Sequence, residues 1–516
     1  MTTLTTPTST ATPRATMRDW CALAVLMLPV LLVSVDGTVL GFALPSIAAT
    51  LGPTAAQQLW IIDVYPLVLA GLLVSMGSLG DRFGRRRLLL IGATGFAAMS
   101  VVAAYSPTAG ALIAARAGLG FFGAMLMPST LSLLRNIFVD ANQRRLAIAV
   151  WASCFAAGAA LGPIVGGLLL EYFWWGSVFL LAVPVLIPLL ALAPVFIPES
   201  RDPAPGRIDP VSIVLSLLAL TPIVYAVKSL AKGGDLVNTL VPALIGVIAT
   251  VAFVRRQLRR PNPMLDMRLF RNRQFSGSVA VNLLAVFSLI GFMFFISQHL
   301  QLVIGQSPMQ AAIALLPGML ATMVAGLVVV RVVRHIAPAV VVAGGLTLAA
   351  VAYVLIALFA SPDSVTVILG AFALLGMGVG ATETISNDLI VSSVPAEKAG
   401  AASAVSETAY EMGTVLGTAV LGSILAGAYT ANLALPAGMD AAQAAAASET
   451  LAGAHHVAGQ LPADIGSALI GAADQAFETG VVITSSIGAV LMLAAAAIAW
   501  YTLRAPASST VATESR

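Results

Sequence analysis

The chain has 516 residues, of which 59% are hydrophobic and 9% are charged, and its mean hydropathy is +0.96. Soluble domains are about 45–50% apolar and about 25% charged, so the composition excludes a water-soluble protein. The pI of about 9.0 does not indicate a nucleic-acid partner, because the basic residues cluster in short connections between apolar runs.

Fourteen apolar runs are long enough to cross a bilayer, since a spanning helix needs about 20 such residues. They cover residues 20–45, 58–80, 87–106, 109–134, 145–170, 174–197, 208–229, 237–256, 276–303, 308–333, 337–360, 364–392, 400–427 and 480–503. No alternating strand pattern competes with them, and lipid tolerates only helices or closed barrels. The sequence therefore predicts an all-α integral membrane protein with 14 transmembrane helices.

The basic residues predict the orientation of these spans. An even number of spans places both chain ends on one side, and all Lys and Arg except Lys228, Lys232 and Arg116 lie in the ends or connections of that side. The positive-inside rule then predicts cytoplasmic N- and C-termini. Abundant alanine and the preference for Arg over Lys are typical of a bacterial genome rich in GC, so we expect a multi-pass protein of the bacterial inner membrane.

The connections divide the chain into segments. Two six-helix bundles around a midplane cavity are a common transporter plan, and the basic linker is expected to contact anionic membrane lipids. The alanine-rich loop before the last span favours helix and is expected on the extracytoplasmic side. The predicted segments are a disordered cytoplasmic N-tail (1–19), an N-terminal bundle (20–200), two inserted helices, the seventh and eighth (201–260), a cytoplasmic linker (261–275), a C-terminal bundle (276–504) that includes the loop 428–479, and a C-tail (505–516).

The connection between the second and third spans combines glycine, aspartate and arginine in one short turn. The aspartate can accept hydrogen bonds from a neighbouring helix N-terminus, and the arginines can close the cytoplasmic face by ion pairs. A plain cytoplasmic arginine anchor is the alternative. The predicted gating residues are Gly77, Asp81, Arg82, Gly84, Arg85 and Arg86.

The fifth span carries glycines four residues apart and a proline. Small residues at that spacing let two helices approach closely, and proline bends a helix. Ordinary small-residue packing is the alternative to a specific motif. The residues are Gly158, Gly162, Pro163, Gly166 and Gly167.

Ionisable residues inside spans are costly and mark functional sites by default. Asp36 and Arg116 lie roughly 13 Å and 10 Å from the outer ends of their spans, so we expect them to meet. An aspartate that changes between this pairing and a dry cavity can carry a proton. A permanent structural ion pair is the alternative.

Glu407 and Glu411 are four residues apart and share one helix face. Two such carboxylates repel and are expected to hold one proton between them. With Tyr410 they form a negative, aromatic surface suited to a lipophilic cation. Glu407 is also close to the cytoplasmic end, where simple hydration is the alternative.

Two further sets of residues are candidates for substrate binding. Asp63 follows Trp60 near the outer end of the second span, where it is either an interfacial aspartate or a cation site in an outer vestibule. In the ninth span, aromatic and polar side chains are expected to line the C-terminal half of the pocket, with ordinary packing as the alternative. They are Phe292, Phe294, Phe295, Gln298 and His299.

The sequence shows no pattern of an enzyme. It has no phosphate-binding loop, no metal-ligand cluster and no Ser-His-Asp layout. We therefore predict no catalytic residue, no metal and no cofactor, with an ion gradient as the energy source.

Four motifs resemble the major facilitator superfamily, in particular its fourteen-helix drug:proton antiporter branch. They are Asp36–Pro45, Gly77–Arg87, Arg116–Gly120 and Gly158–Gly167. The resemblance implies a major-facilitator-type fold, with two six-helix bundles and two inserted helices. It also implies that the acidic residues Asp36, Asp63, Glu407 and Glu411, with Arg116, serve proton coupling or substrate binding. The chain departs from the branch at Leu119, where a glutamine is usual, and at Thr322, where quaternary-ammonium exporters have an acidic residue.

The expected function is a proton-coupled efflux antiporter that acts as a monomer. Its expected partners are protons and lipophilic cationic drugs, such as ethidium-like dyes and quaternary ammonium biocides, with fluoroquinolones as further candidates. Export of a natural metabolite or lipid is one alternative. A membrane sensor or scaffold that transports nothing is another.

Overall fold

The computed structural model describes residues 15–201, 209–231, 235–260, 263, 265–359, 365–394 and 399–504. The predicted C-tail and most of the predicted N-tail lie outside these residues. Throughout the described part of the chain the regular structure is helical, and 14 helical stretches are long and apolar enough to cross a membrane. The predicted all-α class with 14 spans is therefore confirmed.

The helices follow the predicted order. The sixth span consists of α6 and α7, and the ninth and thirteenth spans each contain a π-helical turn, at His299–Val303 and Thr418–Gly422. The bounds are α1 (Met17–Leu51), α2 (Ala55–Phe83), α3 (Arg85–Ala104), α4 (Ala109–Ile137), α5 (Ala141–Tyr172), α6 (Ser177–Leu180), α7 (Ala182–Phe196), α8 (Pro210–Ala231), α9 (Leu236–Arg259), α10 (Arg273–Gln298), α11 (Pro308–Val332), α12 (Pro338–Phe359), α13 (Val365–Ser392), α14 (Ala399–Gly417), α15 (Ser423–Asn432), α16 (Ala441–Glu449), α17 (Leu451–Ala458) and α18 (Ala463–Leu503).

Two separate hydrophobic cores organise these helices. One core is built from α1 to α7, with α1 packed on α5 and α7, and α2 on α4. The other is built mainly from α10 to α18, with α11 packed on α13, and α12 on α13 and α18. The helices α8 and α9 pack on each other, and α8 also contacts α2. Below, the N half means α1–α7 and the C half means α10–α18.

The two ends of the bundle differ. We call the end that carries the α2–α3 turn the basic end, and residues 433–462 at the opposite end the cap. The cap contains α16, whose first turn is capped by Asp440 through a 2.7 Å hydrogen bond from the Gln443 amide, and α17. The Tyr429 hydroxyl ties α15 to the cap by donating to the Ala447 carbonyl at 2.9 Å.

The boundary of the last span differs from the prediction. Helix α18 begins at Ala463 rather than at residue 480, and α15 continues to Asn432. The predicted loop 428–479 is therefore largely helical, because its alanine-rich sequence continues a helix readily. Only the cap stands between the two spans.

At the basic end, Asp209 joins the two inserted helices. Its carboxylate accepts from Arg256 at 2.8 Å and lies 3.2 Å from the Nε of Arg260. The hydrogen bond from Arg256 lowers the pKa of Asp209 below its ordinary value. Ion pairs thus connect the start of α8 to the end of α9.

The glycines of the fifth span allow close helix packing on two sides. A Cβ on Gly158 would lie 2.9 Å from the Leu31 carbonyl oxygen, and one on Gly166 would lie 2.6 Å from a methyl of Val39, both in α1. Gly167 faces the C half instead, where a Cβ would lie 2.9 Å from Met309 in α11. Helix α5 therefore approaches both its own bundle and the opposite one.

Gly158→Ala should destabilise the protein, because the new methyl group would clash with the α1 backbone. Overpacking of this kind costs about 1–3 kcal/mol, which exceeds the helix gain of about 1 kcal/mol from replacing glycine. Gly344→Ala is the matched control, since a Cβ there meets nothing within 4 Å. Thermal unfolding in detergent should show a lower Tm for the first variant alone, and equal Tm values would contradict the packing argument.

Candidate functional site

A cavity lies between the two halves. It has a volume of about 1460 Å³, open solvent included, and its walls are mainly apolar. Helices α1, α2, α4 and α5 form one wall, and α10, α11, α13 and α14 form most of the other. Its charged and phenolic side chains are Arg116, Tyr65, Glu383, Tyr410 and Glu411.

Asp36 and Arg116 meet beside this cavity, as their depths predict. The two side chains form an ion pair at 2.8 Å, and the residues are 7% and 2% exposed. The Arg116 Nε also donates to the Ile61 carbonyl at 3.1 Å, and the guanidinium lies 4.6 Å from the centre of the Tyr65 ring. Contacts with Asp36, Ile61 and Tyr65 thus hold the guanidinium in place. A role of the Asp36–Arg116 pair in proton transfer stays a prediction.

Tyr65 is a member of the site that sequence reasoning missed. It is buried, lines the cavity, and its hydroxyl has no hydrogen-bond partner among the described residues. It lies near enough to Asp36 in the N half and Glu411 in the C half to interact with both charges. A tyrosine two residues after an intramembrane aspartate was the available signal.

The C half contributes glutamates rather than aspartates. Glu411 is 8% exposed and lines the cavity with Tyr410. Glu383, which the sequence places in the same inner region but which was not among the predicted site residues, lines it too. Glu407 is absent from the lining, yet its charge interacts with those of Glu383 and Glu411. Within the described chain, none of these three glutamates forms an ion pair.

The aromatic residues of the ninth span differ from the prediction. Phe292 stacks on Phe372 with ring centres 5.2 Å apart and contacts Phe295 at 4.9 Å, inside the C-half core. These two rings therefore serve packing, and the expectation that they line the pocket does not hold. Phe294, the third aromatic residue predicted for this span, does line the cavity, together with Met293.

Gln298 and His299 also lie outside the main cavity. Gln298 lines a smaller cavity of about 360 Å³ under the cap, which it shares with Phe294 and Tyr429. His299 is buried against α18, where its ring stacks on Phe477 at 6.4 Å. Their predicted place in the main pocket is thus not observed.

Asp63 has a partner that the sequence did not suggest. It is 0% exposed, and its carboxylate lies 2.7 Å from the ammonium of Lys228, which is 3% exposed. The same ammonium lies 4.0 Å from the centre of the Trp60 ring. Both predicted settings for Asp63, an interface or an outer vestibule, are therefore wrong. Helix α8 packs against α2 and removes the carboxylate from solvent.

The α2–α3 turn is held within the N half. Arg85 donates to Asp81 at 2.8 Å, and the Arg86 amide donates to Glu199 at 3.1 Å. Gly84 has φ +112°, a conformation that favours glycine.

Of the other predicted gating residues, Gly77 packs on Pro128 and Arg82 is exposed. The described ion pairs of the turn therefore do not reach the C half, so the expected closure of this face is not seen.

Contacts between the halves concentrate toward the cap end. Ser297 donates to the Gly41 carbonyl at 2.9 Å, Gln301 to Phe42 at 3.3 Å, and the Ala55 amide at the start of α2 to Glu449 of the cap at 3.2 Å. Nearer the middle, Phe155 and Tyr410 meet edge to face at 6.0 Å. These hydrogen bonds thus join the halves at the cap end.

Comparison with known proteins is decisive here. The sequence profile described as "Major Facilitator Superfamily" matches residues 26–418. The chain belongs to this superfamily. Its fold is similar to that of a bacterial homologue of the human lysosomal transporter Spinster in an inward-facing, occupied conformation, with a TM-score of 0.63, 18% identity, and coverage of 95% of this chain and 99% of that one.

Curated relatives extend over nearly the whole chain. The multidrug efflux pump LfrA of Mycolicibacterium smegmatis is 56% identical over 96% of this chain and 97% of its own length. The methyl viologen resistance protein SmvA of Salmonella typhimurium is 37% identical over 94% of this chain and 98% of its own. The tetracenomycin C resistance and export protein of Streptomyces glaucescens is 33% identical, with coverage of 95% and 92%. The chain is a multi-pass membrane transporter, and these relatives indicate a transporter rather than an enzyme.

The ion pair between Asp36 and Arg116 should behave as one unit in stability measurements. Asp36→Asn or Arg116→Met alone leaves a buried charge unpaired, which typically costs about 3–5 kcal/mol. The double variant removes both charges and should be destabilised by less than the sum of the two, with a coupling of about 0.5–3 kcal/mol. The measurement is the free energy of unfolding, in detergent, of the unchanged protein, the two single variants and the double variant. Strictly additive losses of this free energy would rule the coupling out.

Proposed function

We propose that this superfamily member is a proton-coupled efflux antiporter of the bacterial inner membrane that exports lipophilic cations. The observation that carries the proposal is the apolar cavity whose C-half wall presents Glu383 and Glu411, without ion-pair partners in the described chain, beside Tyr410. Drug export also agrees with the relatives, which are a multidrug efflux pump and two resistance proteins.

The cavity suits apolar, positively charged guests. Its lining comes from both halves and is predominantly apolar. Apolar walls accept the hydrophobic body of a guest, while Tyr410 offers a ring face to its positive charge. The carboxylates of Glu383 and Glu411 supply the opposite charge. This combination selects for charge and hydrophobicity rather than for one molecular outline.

The same carboxylates provide the coupling to protons. An ionised carboxylate in a dry interior is costly unless it is neutralised, and either a proton or a cationic guest neutralises it. Proton and guest therefore compete for Glu411 and its neighbours. Export follows when the two states of the carrier differ in affinity for each. Asp36, which is held by Arg116, is proposed to transmit the change between the halves, with the ring of Tyr65 in the cavity wall beside Arg116.

The proposed orientation of the protein in the membrane follows from the position of its basic residues. The basic end carries the arginines of the α2–α3 turn and the ion pair of Arg256 with Asp209. The positive-inside rule assigns that end to the cytoplasm. We propose that the cavity opens to the cytoplasm, from which cations are taken up. The cap covers the opposite, extracytoplasmic end. We further propose that the protein acts as a monomer and that no cofactor takes part.

Purified protein in liposomes should move ethidium against its gradient only when a pH gradient is imposed. Glu411→Gln should reduce this efflux at least tenfold, because the amide binds neither a proton nor a cation by charge, and Asp36→Asn should reduce it as well. Asp388→Asn is the control, since Asp388 is an exposed acid at the basic end of α13. Efflux that needs no pH gradient would exclude the antiporter, and no ethidium efflux at all would favour metabolite export or a sensor.

Binding of ethidium should release protons from the detergent-solubilised protein. We expect about one proton per bound ethidium near neutral pH, because neighbouring carboxylates share one. Glu411→Gln should lower the number. The measurement is the pH change of a weakly buffered solution on addition of ethidium, and binding without any release would separate the substrate site from the proton site.

A further inference from the structure

The contact between Asp63 and Lys228 has the composition of a cation-binding site that is already filled. Asp63 supplies a carboxylate 2.7 Å from the ammonium, and Trp60 supplies a ring face 4.0 Å from it. A carboxylate and an aromatic face are the two groups that recognise organic ammonium ions. Here the ammonium belongs to the protein itself.

The helix that supplies this ammonium belongs to neither half. Helix α8 is fixed to α2 by a hydrogen bond of 2.9 Å from Ser216 to the Gly71 carbonyl. Near Lys228, the cluster of Leu67, Val224 and Val415 joins α2, α8 and α14, so α8 touches both halves. Lys228 is therefore held in place at the seam where N half, C half and inserted helix meet.

The site lies directly behind the cavity wall. Ile62 and Pro66, on either side of Asp63 in α2, both line the cavity, as does Thr418 of the C half. A buried charge at this position influences a guest in the cavity, because interactions in a low-dielectric interior are strong. The ammonium of Lys228 cancels the charge of Asp63 at close range.

The net charge that a guest meets follows from these pairings. Asp36 is neutralised by Arg116 and Asp63 by Lys228, at 2.8 Å and 2.7 Å. The glutamates of the C half are left to attract the positive charge of a guest. The charge of Asp63 is not available to a second positive charge on the guest as long as Lys228 stays on Asp63.

We propose that Lys228 is a tethered counter-cation that fills a latent ammonium site formed by Asp63 and Trp60, and that it thereby restricts the pump to singly charged guests. This inference rests on the proposed export of lipophilic cations. It assigns the inserted helix α8 a specificity-determining part in transport. Removal of the ammonium leaves the charge of Asp63 uncompensated behind the cavity wall, which favours doubly charged guests.

The test compares a singly charged and a doubly charged guest in liposomes under a pH gradient. Ethidium carries one positive charge and methyl viologen carries two. Lys228→Ala should raise the ratio of methyl viologen to ethidium efflux at least tenfold. Lys228→Arg keeps the positive charge and should keep the low ratio, and Asp63→Asn/Lys228→Ala should return the ratio to that of the unchanged protein. An unaltered ratio in Lys228→Ala, or a raised ratio in the double variant, would overturn the proposal.

A binding measurement tests the latent site itself without any transport. n-Butylammonium matches the lysine side chain, so it should raise the Tm of Lys228→Ala but not that of the unchanged protein or of Asp63→Asn/Lys228→Ala. If Lys228→Ala folds poorly, n-butylammonium should restore its folding. Absence of any such effect would show that the site does not take a free ammonium. If the unchanged protein exports no ethidium but the binding is seen, the proposed function fails while the latent site stands.

Discussion

The neutralisation of charges buried between helices is the constraint on which this transporter depends. An ionised side chain in lipid or in a dry interior costs several kcal/mol unless a counter-charge lies beside it. The N half meets this requirement for Asp36 with Arg116, and for Asp63 with Lys228 of the inserted helix. The C half keeps glutamates without a partner in the described chain. The acidic side chains of the N half are therefore ion-paired, whereas the glutamates of the C half are not paired within the described chain.

The packing of the helices supports that asymmetry. Glycines on α5 bring α1 close, and Gly167 brings α5 against α11. The hydrogen bonds between the halves lie toward the cap end. At the basic end, the α2–α3 turn binds Glu199 and so stays within its own half.

Much of the fold was predictable from composition alone. Fourteen apolar runs and the spacing of glycine, arginine and aspartate predicted the spans and the superfamily, because lipid permits few structures and hydropathy reports them directly. The contact of Asp36 with Arg116 was predictable from depth. The glutamates were predicted only in part, since Glu383 in α13 joins the cavity although it stands apart in sequence from Glu411.

By itself the sequence determined the class of protein, the number of spans and the set of costly buried charges, since each of these depends on local composition. Only the tertiary structure decided that Asp63 pairs with Lys228 and which side chains face the cavity. Phe292 turned into the core while Phe294 turned into the cavity, and Lys228 reached Asp63 from a distant helix. These contacts depend on how the helices rotate and pack against one another in three dimensions. The pattern of apolar runs specifies neither the rotation nor the packing.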